Sequence, residues 1–445
     1  MRFPAPRQAV PVADAGLFPS YSLVSQPSPY FGSAELLGDP LPPVCARQGC
    51  LQHFPRLAFA SDGAGFRSSV LLPDHGLPLG VLLEYRPGSS GGPPAFTRFL
   101  RMPDDDSVTG LQPLADSRIA VNPAGDVALM FISTSATAHP TARLMLFDRR
   151  GEMMAGPVDV LQGTWLRAMK FDAAGNLYLV YGRLDLEPQV NATSVAKLDR
   201  ALTPIWVHSE RALDVDSTAL PRTLDATISA DGEITFQGRL DILHTETGEH
   251  ETESSEPRLV RLGPDGRVTR QLAVDDADLQ HHWGGSPDGG VVRATHFDSD
   301  GIAFDPSNSG TDEPNPGFDR LRIVRFDAAL QPLWHLDEPV TGTPRVERPW
   351  EPAASTSPLV AEDGSIYVAT GVGQLQDYRA AALHVSADGT ECSLTRLPLP
   401  EGDRIEPDAQ GPINELLLGP DGLLYALGKN GMGVYDVTQT QFVLP

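Results

Sequence analysis

Residues 168–180 read Ala-Met-Lys-Phe-Asp-Ala-Ala-Gly-Asn-Leu-Tyr-Leu-Val: an apolar run, a small polar turn at Gly175, and a second apolar run. The same pattern stands at Leu57-Ala-Phe-Ala-Ser-Asp-Gly63, Ile119-Ala-Val-Asn-Pro-Ala-Gly125 and Ala226-Thr-Ile-Ser-Ala-Asp-Gly232. It returns at Gly285-Ser-Pro-Asp-Gly289, Leu359-Val-Ala-Glu-Asp-Gly364 and Leu416-Leu-Leu-Gly-Pro-Asp-Gly422. Asp-Gly or Ala-Gly between apolar runs signals a hairpin, because its turn needs a residue at positive φ. The seven glycines recur at irregular intervals that average close to 60 residues, and recurrence on that scale marks a repeat architecture.

A second hairpin follows most copies. Two of these match almost residue for residue: Leu198-Asp-Arg-Ala-Leu-Thr-Pro-Ile-Trp206 and Phe326-Asp-Ala-Ala-Leu-Gln-Pro-Leu-Trp334. Two hairpins per unit make four antiparallel strands, and seven such units give an all-β, seven-bladed β-propeller of four-stranded antiparallel blades. A row of separate small sandwiches is the competing arrangement. It is disfavoured because about sixty residues rarely enclose a stable β core alone. Trp206 and Trp334, at matched repeat positions, are expected to pack between blades. The ring is assigned to residues 56–445. Residues 1–55, Pro-rich with aromatics such as Tyr30 and Phe31, form an N-terminal arm expected to pack on it. Either a strand from this arm or Gln441-Phe-Val-Leu444 can supply the outer strand of the last blade.

Composition agrees. With 42 glycines, 41 prolines and 21% charged residues in 445, the chain is too turn-rich and charge-poor for a helical bundle. The net charge of −24 argues against nucleic acid or an anionic membrane surface as partner, since phosphates are repelled. No apolar run approaches the ~18 residues of a membrane span. Lysine occurs only at 170, 197 and 429, the other basic residues being arginine. Met1-Arg-Phe-Pro-Ala-Pro6 lacks a signal-peptide pattern. Cys45 and Cys50 enclose a short loop that a disulfide could close, which tilts the expected compartment toward an extracytoplasmic one, periplasmic or secreted.

The repeats resemble the broad class of bacterial propellers with an Asp-Gly hairpin, including NHL-like and SBBP-like repeats. The two Trp segments are similar to the outer strands of PQQ-like repeats. The resemblance covers about residues 55–445. It implies a fold rather than one activity, because such propellers serve as enzymes, scaffolds and binding modules.

Chemistry is expected where the loops between second and third strands meet the channel mouth. Those loops are longer in blades 4 and 5, at 239–256 and 297–319, and both are acidic. The first carries Asp241, Glu246, Glu249, Glu251, Glu253 and Glu256 against Arg239. The second carries Asp298, Asp300, Asp305, Asp312, Glu313 and Asp319. Clustered carboxylates attract cations or a basic partner, and equally serve as solvated surface. Asp298-Ser-Asp300-Gly301 with Asp305 is a candidate calcium site, since Ca²⁺ takes six to eight oxygens, although the full calcium-loop pattern is missing.

His282 and Trp283 stand at the start of an inner strand, as do Arg118, Arg167, Asp225 and Glu415, and these are candidate ligand-binding residues. Lactonase-like propellers hold calcium there with Glu, Asn and Asp, which that similarity maps onto Glu415, Asn414 and Asp225. No nucleophile elbow, phosphate loop or zinc-protease helix occurs. The expected function is therefore a non-catalytic binding or scaffold propeller with a protein or carbohydrate partner. The alternative is a calcium-dependent hydrolase or lyase acting at the channel mouth.

Overall fold

The computed structural model describes residues 7–11, 18, 21–22, 35–40, 51–72, 80–88, 94–101, 116–133, 141–162, 164–186, 189–213, 226–229, 231–238, 241–244, 251–254, 258–274, 281–297, 320–339, 357–372, 379–397, 413, 415–428 and 431–442. Among them every helix or strand element is a strand, and no helix is long and apolar enough to cross a membrane.

Three short strands come first: β1 (Arg7–Pro11), β2 (Tyr21–Ser22) and β3 (Glu35–Gly38). Blade 1 is β4 (Leu51–Phe59), β5 (Gly65–Leu72), β6 (Gly80–Arg86) and β7 (Phe96–Arg101). Blade 2 is β8 (Asp116–Val121), β9 (Val127–Ser133), β10 (Thr141–Phe147) and β11 (Met153–Gln162). Blade 3 is β12 (Thr164–Phe171), β13 (Leu177–Leu186), β14 (Gln189–Leu198) and β15 (Pro204–Leu213). Blade 4 opens with β16 (Ala226–Ile228) and β17 (Ile234–Gly238). A separate hairpin follows, β18 (Asp241–His244) with β19 (Glu251–Ser254), and the blade then resumes with β20 (Arg258–Leu262) and β21 (Val268–Ala273).

Blade 5 is β22 (His281–Gly285), β23 (Val291–Phe297), β24 (Arg320–Phe326) and β25 (Pro332–Pro339). Blade 6 is β26 (Leu359–Val360), β27 (Ile366–Val372), β28 (Arg379–Val385) and β29 (Cys392–Arg396). Blade 7 is β30 (Glu415–Leu418), β31 (Leu424–Leu427) and β32 (Gly431–Phe442). Each blade is an antiparallel meander. The molecule is a seven-bladed β-propeller.

All seven repeat glycines adopt positive φ, between 75° and 87°. Each donates its amide to the carbonyl three residues before it, while the residue at that position bonds across to the residue after the glycine, as in Asp172–Gly175 with Asn176. This is a three-residue loop ending in a left-handed bulge position, where glycine has no steric penalty. The second hairpins repeat it, and the two matched segments place Leu202 and Leu330 at φ 62° and 58° in the glycine's position. A left-handed leucine costs about 1–2 kcal/mol. Both side chains are buried, and burial returns roughly 1.5–3 kcal/mol each.

The core is split into seven apolar clusters, one at each junction between neighbouring blades. Phe66 and Leu83 of blade 1 meet Leu129 and Phe147 of blade 2; Val195 of blade 3 meets Phe236 and Val260 of blade 4. The junction of blade 7 with blade 1 joins Tyr425, Leu427 and Val434 to Leu57, and Phe18 fills it, fully buried. The guanidinium carbons of Arg67 and Arg86 lie 5.6 and 5.4 Å from the Phe18 ring centre. Arg67 is itself ion-paired with the equally buried Glu84.

The first strands thus close the ring. β32 runs unbroken through Phe442 as the third strand of blade 7, so the residues at its end do not form a fourth. That place belongs to β1, antiparallel to β32 with Gln8 opposite Gln441 and Ala9 opposite Thr440. β2 pairs with the start of β32, and β3 lies parallel to β7 on the outer edge of blade 1.

The turns between first and second strands, and between third and fourth, share one face and bind each other across blades. Arg149 Nη1 meets Asp62 Oδ2 at 2.7 Å. Arg261 Nη2 donates to the Gly289 carbonyl at 2.7 Å, and Arg325 Nη1 to that of Gly364 at 2.7 Å. Trp206 Nε1 donates to Pro264 O at 3.0 Å and Trp334 Nε1 to Ala387 O at 3.1 Å; each indole also lies over the next blade's Gly266 or Gly389. The two tryptophans are therefore blade-to-blade contacts, as their matched positions imply.

Two outcomes follow for stability. Phe18→Ala is expected to destabilise the ring by about 3–5 kcal/mol, the range for a buried aromatic truncation, read as a lower midpoint in urea. Acid should loosen the turn face as well. The Asp62 carboxyl is held low by the Ala64 amide, Asp231 by the Ser229 hydroxyl and Asp363 by the Ser365 hydroxyl. Asp388, held by Ser386 and Thr390, lies lowest at about 2. Folded values below the unfolded one mean that this stabilisation is complete above about pH 4 and is lost as pH falls through the folded values. Melting temperatures measured from pH 5 to pH 2 should decline progressively over the acid half of that range; a constant melting temperature would contradict the role of these turns.

Candidate binding site along the axial channel

The first strand of each blade lies against the first strand of the next along β4, β8, β12, β16, β22, β26 and β30. These seven strands wall the axis. Gly284 and Gly285 let them come close: a Cβ at Gly284 would meet the Pro358 carbonyl oxygen of blade 6, and one at Gly285 would meet Thr227 of blade 4.

Near the starts of these strands three blades share a polar cluster. Arg56 Nη1 of blade 1 lies 3.6 Å from Glu415 Oε2 of blade 7. Its Nε donates to the Ser117 carbonyl of blade 2 at 3.4 Å. The Ser117 hydroxyl meets that of Ser68 at 2.9 Å. Glu415 is thus engaged by an arginine and sits beside a cation.

Arg118, on the same strand as Ser117, is half-buried opposite Met130. His282 is buried on β22, opposite Ala294. Trp283 is 1% exposed and packs in the junction between blades 4 and 5, its ring centre 5.9 Å from that of Phe326 and 6.0 Å from the Arg293 guanidinium carbon. Arg167 lies on β12 where its register with β13 shifts, between Leu166 and Ala168. The structure therefore sets Glu415 beside Arg56 and Arg118 next in sequence to the Ser117 that Arg56 contacts, each one blade from Arg56, and seats Trp283 in the core. Asp225, Asn414, Asp298, Asp300, Asp305, Cys45 and Cys50 lie outside the described residues. Among the described residues no three His, Cys, Asp or Glu side chains gather as a metal site.

Nearer the turn face the channel wall changes character. Five residues before each turn glycine stand Ala58, Ala120, Lys170, Thr227, Gly284, Leu359 and Leu417. Lys170 alone carries a charge there. Its side chain is exposed to water, and its strand is flanked by β13, β8 and β16, so the exposure is to the channel. The protein packed around the axis leaves its ammonium less well hydrated than in open water and holds it below the ordinary lysine range. No hydrogen-bond or ion-pair partner for Lys170 occurs among the described residues. Neither Arg56 nor Lys170 stands out in the sequence until the repeats are aligned on their turn glycines, which sets Arg56 level with Arg118 and Glu415 and Lys170 level with uncharged residues.

The 239–256 segment holds the β18–β19 hairpin, outside the four-stranded sheet of blade 4 and inserted between its second and third strands. It lies near β15, the outer strand of blade 3.

No protein-family model matches the sequence, and no curated protein matches it. Solved structures similar to the chain include the β-propeller domain of the Trilobed protease from Pyrococcus furiosus, at 10% identity and a TM-score of 0.46, covering 88% of this chain and 95% of that one. The C-terminal WD40 domain of Sif2 is similar at 10% identity and a TM-score of 0.42, covering 87% and 97%. A protein of unknown function from Bacteroides caccae is similar at 8% identity and a TM-score of 0.35, covering 77% and 94%. Identities this low concern the fold alone.

Proposed function

We propose that the chain is a non-catalytic binding or scaffold propeller that presents acidic loops to a protein or carbohydrate partner, with residues 1–55 as an arm on the ring of 56–445. The observation that carries this reading is the β18–β19 hairpin. Blade 4 completes its sheet without it, so the hairpin adds nothing to that sheet, yet it bears Asp241, Glu251 and Glu253. The 297–319 segment of the next blade is the same kind of acidic insertion in sequence. The turn face supports the reading from the other side: its cross-blade hydrogen bonds make a rigid base from which loops can be displayed.

The calcium-dependent hydrolase or lyase is the weaker reading. Glu415, its inner-strand carboxylate, is already engaged by Arg56, whose charge competes with a cation.

The test changes the acidic side chains of 239–256 and 297–319 to Asn and Gln in the full chain. Binding to immobilised basic protein and to a glycan panel is then measured at two salt concentrations. The wild type is expected to hold a partner at 50 mM salt and to release most of it at 300 mM, as charge-steered binding does; the variant should lose it at both. Equal binding by both proteins would reject the acidic face. A melting temperature raised by calcium and lowered by EDTA would move the assignment to the metal-dependent reading.

A further inference from the structure

We propose that the axial channel binds a small carboxylate with an apolar tail, the carboxylate pairing with Lys170 Nζ and the tail lying along the wall at the same level. Four observations converge. Lys170 is on an inner strand whose sides are occupied by neighbouring strands, so its exposed end faces the axis. It has no hydrogen-bond or ion-pair partner among the described residues, in a chain whose other described lysine, Lys197, is engaged by Asp172 at 3.4 Å and lies over the Tyr178 ring. The equivalent positions of the other six blades carry no charge, and two of them, Leu359 and Leu417, are part-exposed apolar side chains. The surrounding blades also leave the ammonium less well hydrated than in open water. A cation with no partner among the described residues gains most there from an anion that brings its charge without further polar groups to bury.

The same features select the ligand. One cation with apolar neighbours suits a single negative charge, whereas a phosphate dianion calls for more donors than the level offers. The net charge of −24 repels polyanions from the whole molecule, while a small monoanion is screened within about 8 Å at physiological salt. This inference is independent of the acidic-face reading, since it concerns other residues and a different ligand.

Hexanoate is the probe, with hexan-1-ol as the uncharged control, titrated calorimetrically into the full chain and into its Lys170→Met and Lys170→Arg variants. Because Lys170 is exposed and has no partner among the described residues, both variants should melt no lower than the wild type. Hexanoate is expected to bind the wild type one to one, at least tenfold more weakly to Lys170→Met, and within a few-fold of wild type to Lys170→Arg. Hexan-1-ol should show no such difference. Hexanoate should also slow reductive methylation of Lys170, located by peptide mass mapping, while leaving Lys197 unchanged. Equal affinity for wild type and Lys170→Met, no binding at millimolar hexanoate, or equal protection of both lysines would overturn the proposal.

Discussion

Each blade is apolar on both faces, and the molecule holds together only because another blade covers each of them. A four-stranded sheet of this kind alone would leave Leu129, Val195 or Val292 facing water. Closing the ring removes that exposure at every junction, and the burial of apolar side chains drives it. The consequence is circular: the junction between blades 7 and 1 must form although its partners lie at opposite ends of the sequence. Phe18 fills that junction, while β1 completes blade 7 and β3 extends the outer edge of blade 1. Without them, Leu57 and Tyr425 would border an open seam and β32 would present a long unpaired edge.

Polar contacts divide labour between the two faces. The turn face is tied by arginines and tryptophans that reach the next blade's turn carbonyls, with Lys197, Arg261 and Arg325 at equivalent third-strand positions. Such charge-assisted bonds fix the angle between blades. The insertions of blades 4 and 5 follow the second strands in sequence, at the end away from these turns. The axis lies between, polar where Arg56 and Glu415 meet and apolar around Lys170.

Much of the fold is legible in the sequence because its signals are local. All seven turn glycines take the conformation that their Asp-Gly or Ala-Gly setting implies, and the near-identity of 198–206 with 326–334 reflects one turn that tolerates a left-handed leucine by burying it. The closing strand is harder to read. Arg7–Pro11 is five residues long and ends in proline, and its partner is more than four hundred residues away, so no local pattern marks the pairing. The site is legible only in part. Arg118 and Glu415 stand at strand starts beside the channel wall, but Trp283 follows the demand of the core, which a single aromatic letter does not reveal. Lys170 becomes visible only in the repeat register, because its significance is its contrast with six uncharged equivalents.

The ring's closure through the N-terminal strand is open to a direct measurement. With the native cysteines replaced by serine, Ala9→Cys and Thr440→Cys introduce a pair at directly opposed positions of β1 and β32, within the Cα separation a disulfide spans. Mild oxidation of the dilute, folded protein should give an intramolecular bond in nearly every molecule and raise the melting temperature. Free thiols after oxidation, or cross-links only between molecules, would show that β1 does not sew the seventh blade to the chain's end.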